Sequence, residues 1–389
     1  MNEKSKVADR RPRLALDAYV LAQGIKTGVY RVCDELFPLL MSSEHLDSRM
    51  YILPHDAVQA SGLKGRFKAR LSAHQDVSPD NADLLLSPFG VPPDDWVLNR
   101  HVLHAHVVYD LIAVEHPEYF SAEGAAEVRR IMDGLREDTT IFAISEFTKQ
   151  DLLAYRPDLR PEQVTVIPLA AGARFRHCAD AAQRVAARAK YGIPQDVPYV
   201  MSLATLEIRK NLDQVVHAFL MHLNEDPQSD LHLVLSGMSG WKLDHLQKAL
   251  AVAERWRHRI VLTGFVEDAD LSALYSDAVC FVYLSRYEGF GLPPLEAMAC
   301  GTPVICSDNS SLPEVVGQAG LLFNADDVEG VAGAMHRLLR SPGLRQELAQ
   351  AGFARARTFS WERCAAIVEQ TLLDAHAARR ASLGEVPRD

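Results

Sequence analysis

The sequence predicts an α/β protein of two domains, each built on a parallel sheet covered by helices. Short β-rich apolar runs alternate with helical patterns through most of the chain, as parallel strands joined by helical crossovers do. The 389 residues are 48% hydrophobic and 24% charged, which is length and apolar material for two cores rather than one. The alternation is interrupted over 174–198, where a helical stretch, 181–191, leads into Gly192-Ile-Pro-Gln-Asp-Val-Pro198. Polar, proline-rich sequence of this kind suits a junction between domains.

Strands of the first domain are expected over 14–16, 50–53, 83–86, 102–108, 140–144 and 164–167. Those of the second are expected over 199–203, 231–235, 260–262, 279–283, 304–306 and 320–323. The domains are accordingly 1–180 and 195–358, followed by a helical tail over about 360–378 whose apolar residues recur at helical spacing. Ligands of such sheets bind beyond the carboxyl ends of the strands.

Composition excludes several classes. The longest apolar runs, such as 279–284, are strand-length, far short of the roughly 20 residues that span a bilayer. The opening 1–13 has no apolar centre, which argues against a secretory signal. Cys33, Cys178, Cys280, Cys300, Cys306 and Cys364 are scattered, with no zinc spacing, and read as buried thiols of a cytoplasmic protein. A formal charge of −10 argues against nucleic-acid binding but leaves a local anion site open.

The most informative stretch is Arg286-Tyr-Glu-Gly-Phe-Gly-Leu-Pro-Pro-Leu-Glu-Ala-Met-Ala-Cys-Gly-Thr-Pro-Val304. A strand enters a glycine-containing turn, and Pro293 marks the first turn of a helix. That turn offers backbone N–H groups at the positive end of a helix dipole, which is an anion site. Gly289 and Gly291 allow a phosphate close to the backbone around Phe290 and Leu292. Glu288 stands at the turn and Glu296 on the helix. A dinucleotide fingerprint fits poorly, because Pro294 replaces its third small residue. In Glu207-Ile-Arg-Lys-Asn-Leu212, adjacent Arg209 and Lys210 can neutralise phosphate charge. Asp268-Ala-Asp270 spells a metal motif of another fold, but Asp270 reads better as the cap of a helix starting at Leu271, and no metal is expected.

The Glu288-x7-Glu296 stretch resembles the signature of GT-B glycosyltransferases of family 4, as do 310–317 and 319–323. The resemblance implies two Rossmann-like domains facing each other across a cleft, with the C-terminal helix crossing back to the first. It implies a metal-independent, retaining hexosyl transfer in cell-surface polysaccharide synthesis, with mannose from GDP-mannose the expectation that family analogy favours. The donor is then a nucleotide diphosphate sugar and the acceptor a saccharide or lipid-linked glycan. Glu288 holds the donor sugar, Glu296 the ribose, Arg209 and Lys210 the diphosphate, and the chain at Phe265 and Val266 borders the nucleobase. Gly24-Ile-Lys-Thr-Gly28 resembles the family's first glycine loop, with Gly28 opposite the donor phosphates. In His106-Val-Val-Tyr-Asp110 the usual family histidine is replaced by Tyr109, which still offers a hydroxyl. Asp110 is the candidate for contact with sugar or acceptor, and His106 is read as structural.

Lys64, Arg66, Lys68 and Arg70 among Leu63, Phe67 and Leu71 suit either a solvated face or a basic amphipathic helix at the inner membrane surface. Two rivals differ in class: a nicotinamide-dependent oxidoreductase and a catalytically inactive scaffold of the same fold.

Overall fold

A computed structural model describes residues 11–23, 28–51, 78–238, 240 and 243–382. The basic segment 64–70 and most of the 24–28 loop lie outside the described residues. The chain forms two compact units, 1–169 with 361–389, and 170–360.

The first unit contains β1 (Arg13–Asp17), β2 (Asp47–Tyr51), β3 (Leu84–Ser87), β4 (Leu103–Val108), β5 (Thr140–Ala143) and β6 (Val164–Val166). Among the described residues these form one sheet in the order β2-β1-β3-β4-β5-β6, parallel throughout. Every residue of β3 and β4 is buried, because helices cover both faces and both sets of alternating side chains must be accommodated inside. Two histidines are among them. His104 Nε2 lies 2.9 Å from the Trp96 carbonyl oxygen, whereas His106 Nε2 is buried with no hydrogen-bond partner. The helix Trp361–Ser382 returns from the second unit and packs on the helix Gly28–Met41 and on β4 and β5. Trp361, Cys364, Val368 and Leu372 face inward.

The second unit contains β7 (Tyr199–Leu203), β8 (His232–Ser236), β9 (Ile260–Gly264), β10 (Cys280–Tyr283), β11 (Val304–Ser307) and β12 (Leu321–Phe323). Their order is β12-β11-β10-β7-β8-β9, again parallel. Counted from β7 this is the doubly wound 3-2-1-4-5-6 order, whose ligand crevice opens where the order reverses, between β7 and β10.

The boundary falls at Leu169 and Ala170, ahead of the 174–198 segment expected to hold it. That segment is packed rather than free. Phe175, Cys178, Ala187 and Ile193 join the core of the second unit. Arg188, 8% exposed, pairs with Asp277 and donates to the carbonyls of Pro194 and Val197 at 2.7 and 2.9 Å. The prolines therefore sit in a loop tied down by a guanidinium. The cysteines are all buried free thiols.

Candidate active site

Two turns meet at the crevice of the second unit. The first follows β7. Ile208–Lys210 forms a single 3-10 turn, Asn211 adopts a left-handed conformation with φ 56°, and the helix Leu212–Glu225 begins. Asparagine tolerates this region better than most residues, and a long-range bond fixes it: Asn211 Nδ2 donates to the Ala325 carbonyl at 2.8 Å. Arg209 and Lys210 are thereby held in the turn before the helix.

The second turn follows β10 and leads into the helix Leu292–Ala299, with Gly291 at its N-cap. Gly291 has φ 120°, and a Cβ there would come within 2.8 Å of Leu312 Cδ2, so conformation and space both demand glycine. Serines from the loop that follows β11 brace the turn. The Glu288 N–H donates to Ser310 Oγ at 3.0 Å, and Ser311 Oγ lies 2.8 Å from the Glu288 carbonyl and 2.6 Å from that of Phe290. The two turns are also tied directly. The Arg286 N–H donates to the Arg209 carbonyl at 3.0 Å, and Arg209 Nη1 donates to the Tyr287 carbonyl at 3.0 Å.

The charged groups form one network. Lys210 Nζ lies 2.6 Å from Glu288 Oε1, and Arg209 Nη1 lies 3.2 Å from Glu288 Oε2. Arg209 Nη2 pairs in turn with Glu207 Oε1 at 2.7 Å. The Tyr283 hydroxyl donates to Glu288 Oε1 at 2.7 Å and accepts from Lys210 at 2.9 Å. Burial by itself raises the Glu288 carboxyl, but Lys210 and Arg209 outweigh it and hold it down to about 2. Burial and the neighbouring Arg209 push the Lys210 ammonium down, against the pull of Glu288 and Glu207. Two carboxylates and two cations thus leave this end of the sheet near neutral, with both cations already largely desolvated. An incoming anion therefore competes with Glu288 and Glu207 for cations that carry little water.

The structure brings Arg209, Lys210, Glu288, Gly289, Phe290, Gly291 and Leu292 together. Glu296 lies apart from the network on the buried side of its helix, 1% exposed, with Oε2 accepting from the Tyr275 hydroxyl at 3.3 Å. Beyond β9, Phe265 is 51% exposed and Val266 only 3%, so of the two only Phe265 stands open to solvent. In the first unit Gly28 begins its helix, and a Cβ there would meet nothing within 4 Å. Asp110 Oδ1 accepts from the Ile112 N–H at 3.2 Å.

Two expectations are corrected. Asp270 does not cap a helix at Leu271: the helix is Asp268–Asp277 with Glu267 at its N-cap. Asp270 instead pairs with Lys190 at 2.6 Å, and Asp268 with Arg174 at 2.9 Å. Among the described residues no group of three or more His, Cys, Asp or Glu residues could hold a metal ion. The Tyr109 hydroxyl is not offered to a ligand. It is buried without a hydrogen-bond partner, and burial, with Cys33 and Cys364 nearby, pushes its pKa far up. His106 is buried as expected, its imidazole pushed down to about 4 by burial alone.

Sequence reasoning missed Glu207, Tyr283, Asn211, Ser310 and Ser311. The serines lie within the 310–317 resemblance but carried no assigned role. Tyr283 and Asn211 act through contacts 73 and 114 residues away in the chain, which local pattern does not reveal, whereas Glu207 pairs with Arg209 only two residues on. Also missed was the turn after β8, where a Cβ on Gly237 or Gly240 would strike the backbone of Ala204 or Leu206.

A doubly wound parallel sheet with a cationic pair and a glycine turn at its reversal point defines a Rossmann-type unit. Residues 183–355 match the family described as Glycosyl transferases group 1. The serotype-specific mannosyltransferase WbdA of Escherichia coli is 36% identical over 227 residues, covering 57% of this chain and 27% of that protein. The O-antigen chain mannosyltransferase B of Escherichia coli is 42% identical over 168 residues, covering 43% of each. The matched region thus spans less than half the length of these relatives. The fold of the chain is that of sucrose-phosphate synthase from Thermosynechococcus elongatus, with TM-score 0.67 and 21% identity over 95% of this chain and 100% of that one. Both halves are therefore the Rossmann-like units of a GT-B glycosyltransferase fold.

Proposed function

We propose that this chain is a retaining glycosyltransferase moving a hexosyl group from a nucleotide diphosphate sugar to a saccharide or lipid-linked glycan acceptor during cell-surface polysaccharide synthesis. The observation that carries the reading is the buried Arg209–Glu288–Lys210 network at the reversal point of the sheet. In the transfer the bond between the anomeric carbon and the diphosphate breaks, its electron pair leaving with the phosphate oxygen. Arg209 and Lys210 meet that growing negative charge, the commonest large contribution to such catalysis. The acceptor hydroxyl attacks from the same face and its proton passes to the departing phosphate oxygen. Glu288 orients the donor-sugar hydroxyls. The Gly289–Leu292 backbone leaves room for the phosphates, and the exposed Phe265 ring offers a face for the base. For Glu296 to reach the ribose, the carboxylate must turn from Tyr275.

The cations do what a divalent ion would, so we assign no metal and no cofactor to the reaction. A mannosyl donor is supported by the names of the two relatives, and GDP-mannose is the first donor to test. Among the described residues no helix is long and apolar enough to cross a membrane. On this reading a lipid-linked acceptor is met from the cytoplasmic side, at the inner membrane face. Thermal-shift screening against GDP-, UDP- and dTDP-sugars tests the donor reading, since a ligand at 100 times its Kd adds about 2.7 kcal/mol. Stabilisation by one base class supports it, and no shift with any of them refutes it.

A further inference from the structure

Tyr283 ends β10, and its position is set before any ligand arrives. The side chain is 3% exposed and its ring stacks on Phe281 with centroids 5.9 Å apart at 21°. The strand fixes the backbone and the stacked ring fixes the hydroxyl. Two charged groups from different segments converge on that oxygen. Lys210, from the turn after β7, donates to it at 2.9 Å, and it donates to Glu288 Oε1, from the turn after β10, at 2.7 Å. Lys210 and Glu288 also touch at 2.6 Å, so the three groups close a triangle. A phenol carries one proton and lone pairs on one oxygen. Burial and the adjacent Glu288 hold that proton on Tyr283, which commits it to Glu288 and leaves the lone pairs to Lys210.

The lysine and glutamate are flexible side chains, whereas the tyrosine oxygen is carried by a rigid ring on a central strand. A diphosphate that takes up donors of Lys210 weakens its contact with Glu288, and the two charged groups are then free to separate. The tyrosine oxygen can remain in contact with both. We propose that Tyr283 is a positioning residue, fixing Lys210 and Glu288 relative to each other so that one meets the diphosphate and the other the sugar in a single geometry. The inference rests on the donor reading given above. Misplacement of reacting groups by about 1 Å can cost on the order of a hundredfold in rate, so a group that sets two of them at once is exposed in kcat rather than in binding.

The test is Tyr283→Phe, which keeps the ring and its stacking on Phe281 and removes the oxygen. Transfer is measured at saturating donor, and the nucleoside diphosphate is titrated calorimetrically to count binding-competent molecules and give its affinity. The expected result is a kcat per competent site lowered about ten- to a hundredfold, with the affinity changed far less. A hydroxyl that matters only for packing would lower the fraction of competent molecules and leave kcat per site alone. A kcat within about twofold of wild type, or one that falls no further than the affinity, overturns the positioning role. A wild-type chain that binds no nucleotide diphosphate sugar overturns the donor reading itself, and the tyrosine role with it. A wild-type chain that transfers, matched by its phenylalanine variant, overturns only the tyrosine role.

Discussion

Lys210→Ala separates the structural duty of the buried network from its chemical one. In the wild type Glu288 Oε1 is held by Lys210 at 2.6 Å and by Tyr283 at 2.7 Å, with Arg209 3.2 Å from Oε2. Holding this carboxyl at about 2 rather than the ordinary 4.5 corresponds to about 3 kcal/mol, the range found when one partner of a buried pair is removed. Because the folded value is depressed, that stabilisation is complete above pH 4.5 and fades as pH falls towards 2. The variant is therefore expected to lose about 3 kcal/mol at neutral pH, with the difference from wild type narrowing below pH 4.5 in urea titrations. Adding Glu288→Gln, which removes the stranded charge, is expected to restore part of the loss. Transfer at saturating donor should fall by on the order of a hundredfold or more in Lys210→Ala and should not recover in the double variant. Near-wild-type turnover by Lys210→Ala, measured by release of nucleoside diphosphate, would refute the leaving-group role. Stability unchanged at neutral pH would refute the ion-pair account of Glu288.

Gly291→Ala is expected to cost about 1–3 kcal/mol by thermal unfolding, because φ 120° is poor for any L side chain and the new methyl lands 2.8 Å from Leu312; an unshifted Tm would show that the turn relaxes freely. Tyr109→Phe should leave transfer near wild type and leave Tm equal or higher, since the hydroxyl it removes is buried without a partner. A large loss of activity would return Tyr109 to the sugar site. Transfer should persist in excess EDTA, because Arg209 and Lys210 supply the positive charge. Abolition by chelator with rescue by a divalent ion would bring Asp268 and Asp270 back into consideration.

The expected strand segments all overlap strands of the structure because both sheets are covered on each face, and buried parallel strands read as dense apolar runs. The turn before the helix Leu292–Ala299 was legible for a different reason: glycine at φ 120° followed by proline in the first helical turn leaves a local signature. What could not be read was which groups hold that turn. Tyr283 looks like one more core aromatic of β10, and only the fold reveals that its oxygen reaches Lys210, 73 residues away in the chain. Asp270 was misread by a small register error, since the helix starts at Asp268 rather than Leu271. A proline-rich stretch looked like a linker because composition does not show Arg188 reaching from it to Asp277. Glu296 was placed on the right helix, but its burial against Tyr275 depends on how that helix is rotated onto the sheet.

The measurement that bears most directly on the account is donor turnover by the purified chain. GDP-mannose and other nucleotide diphosphate hexoses would each be incubated with saccharide and lipid-linked acceptors in the presence of EDTA, with the product followed by mass spectrometry and its anomeric configuration by NMR. The account predicts that one donor class yields a glycosylated acceptor and free nucleoside diphosphate, with the donor's anomeric configuration kept and the yield collapsing in Lys210→Ala. Inverted product from the same donor, or equal yield from the wild type and Lys210→Ala, would contradict it.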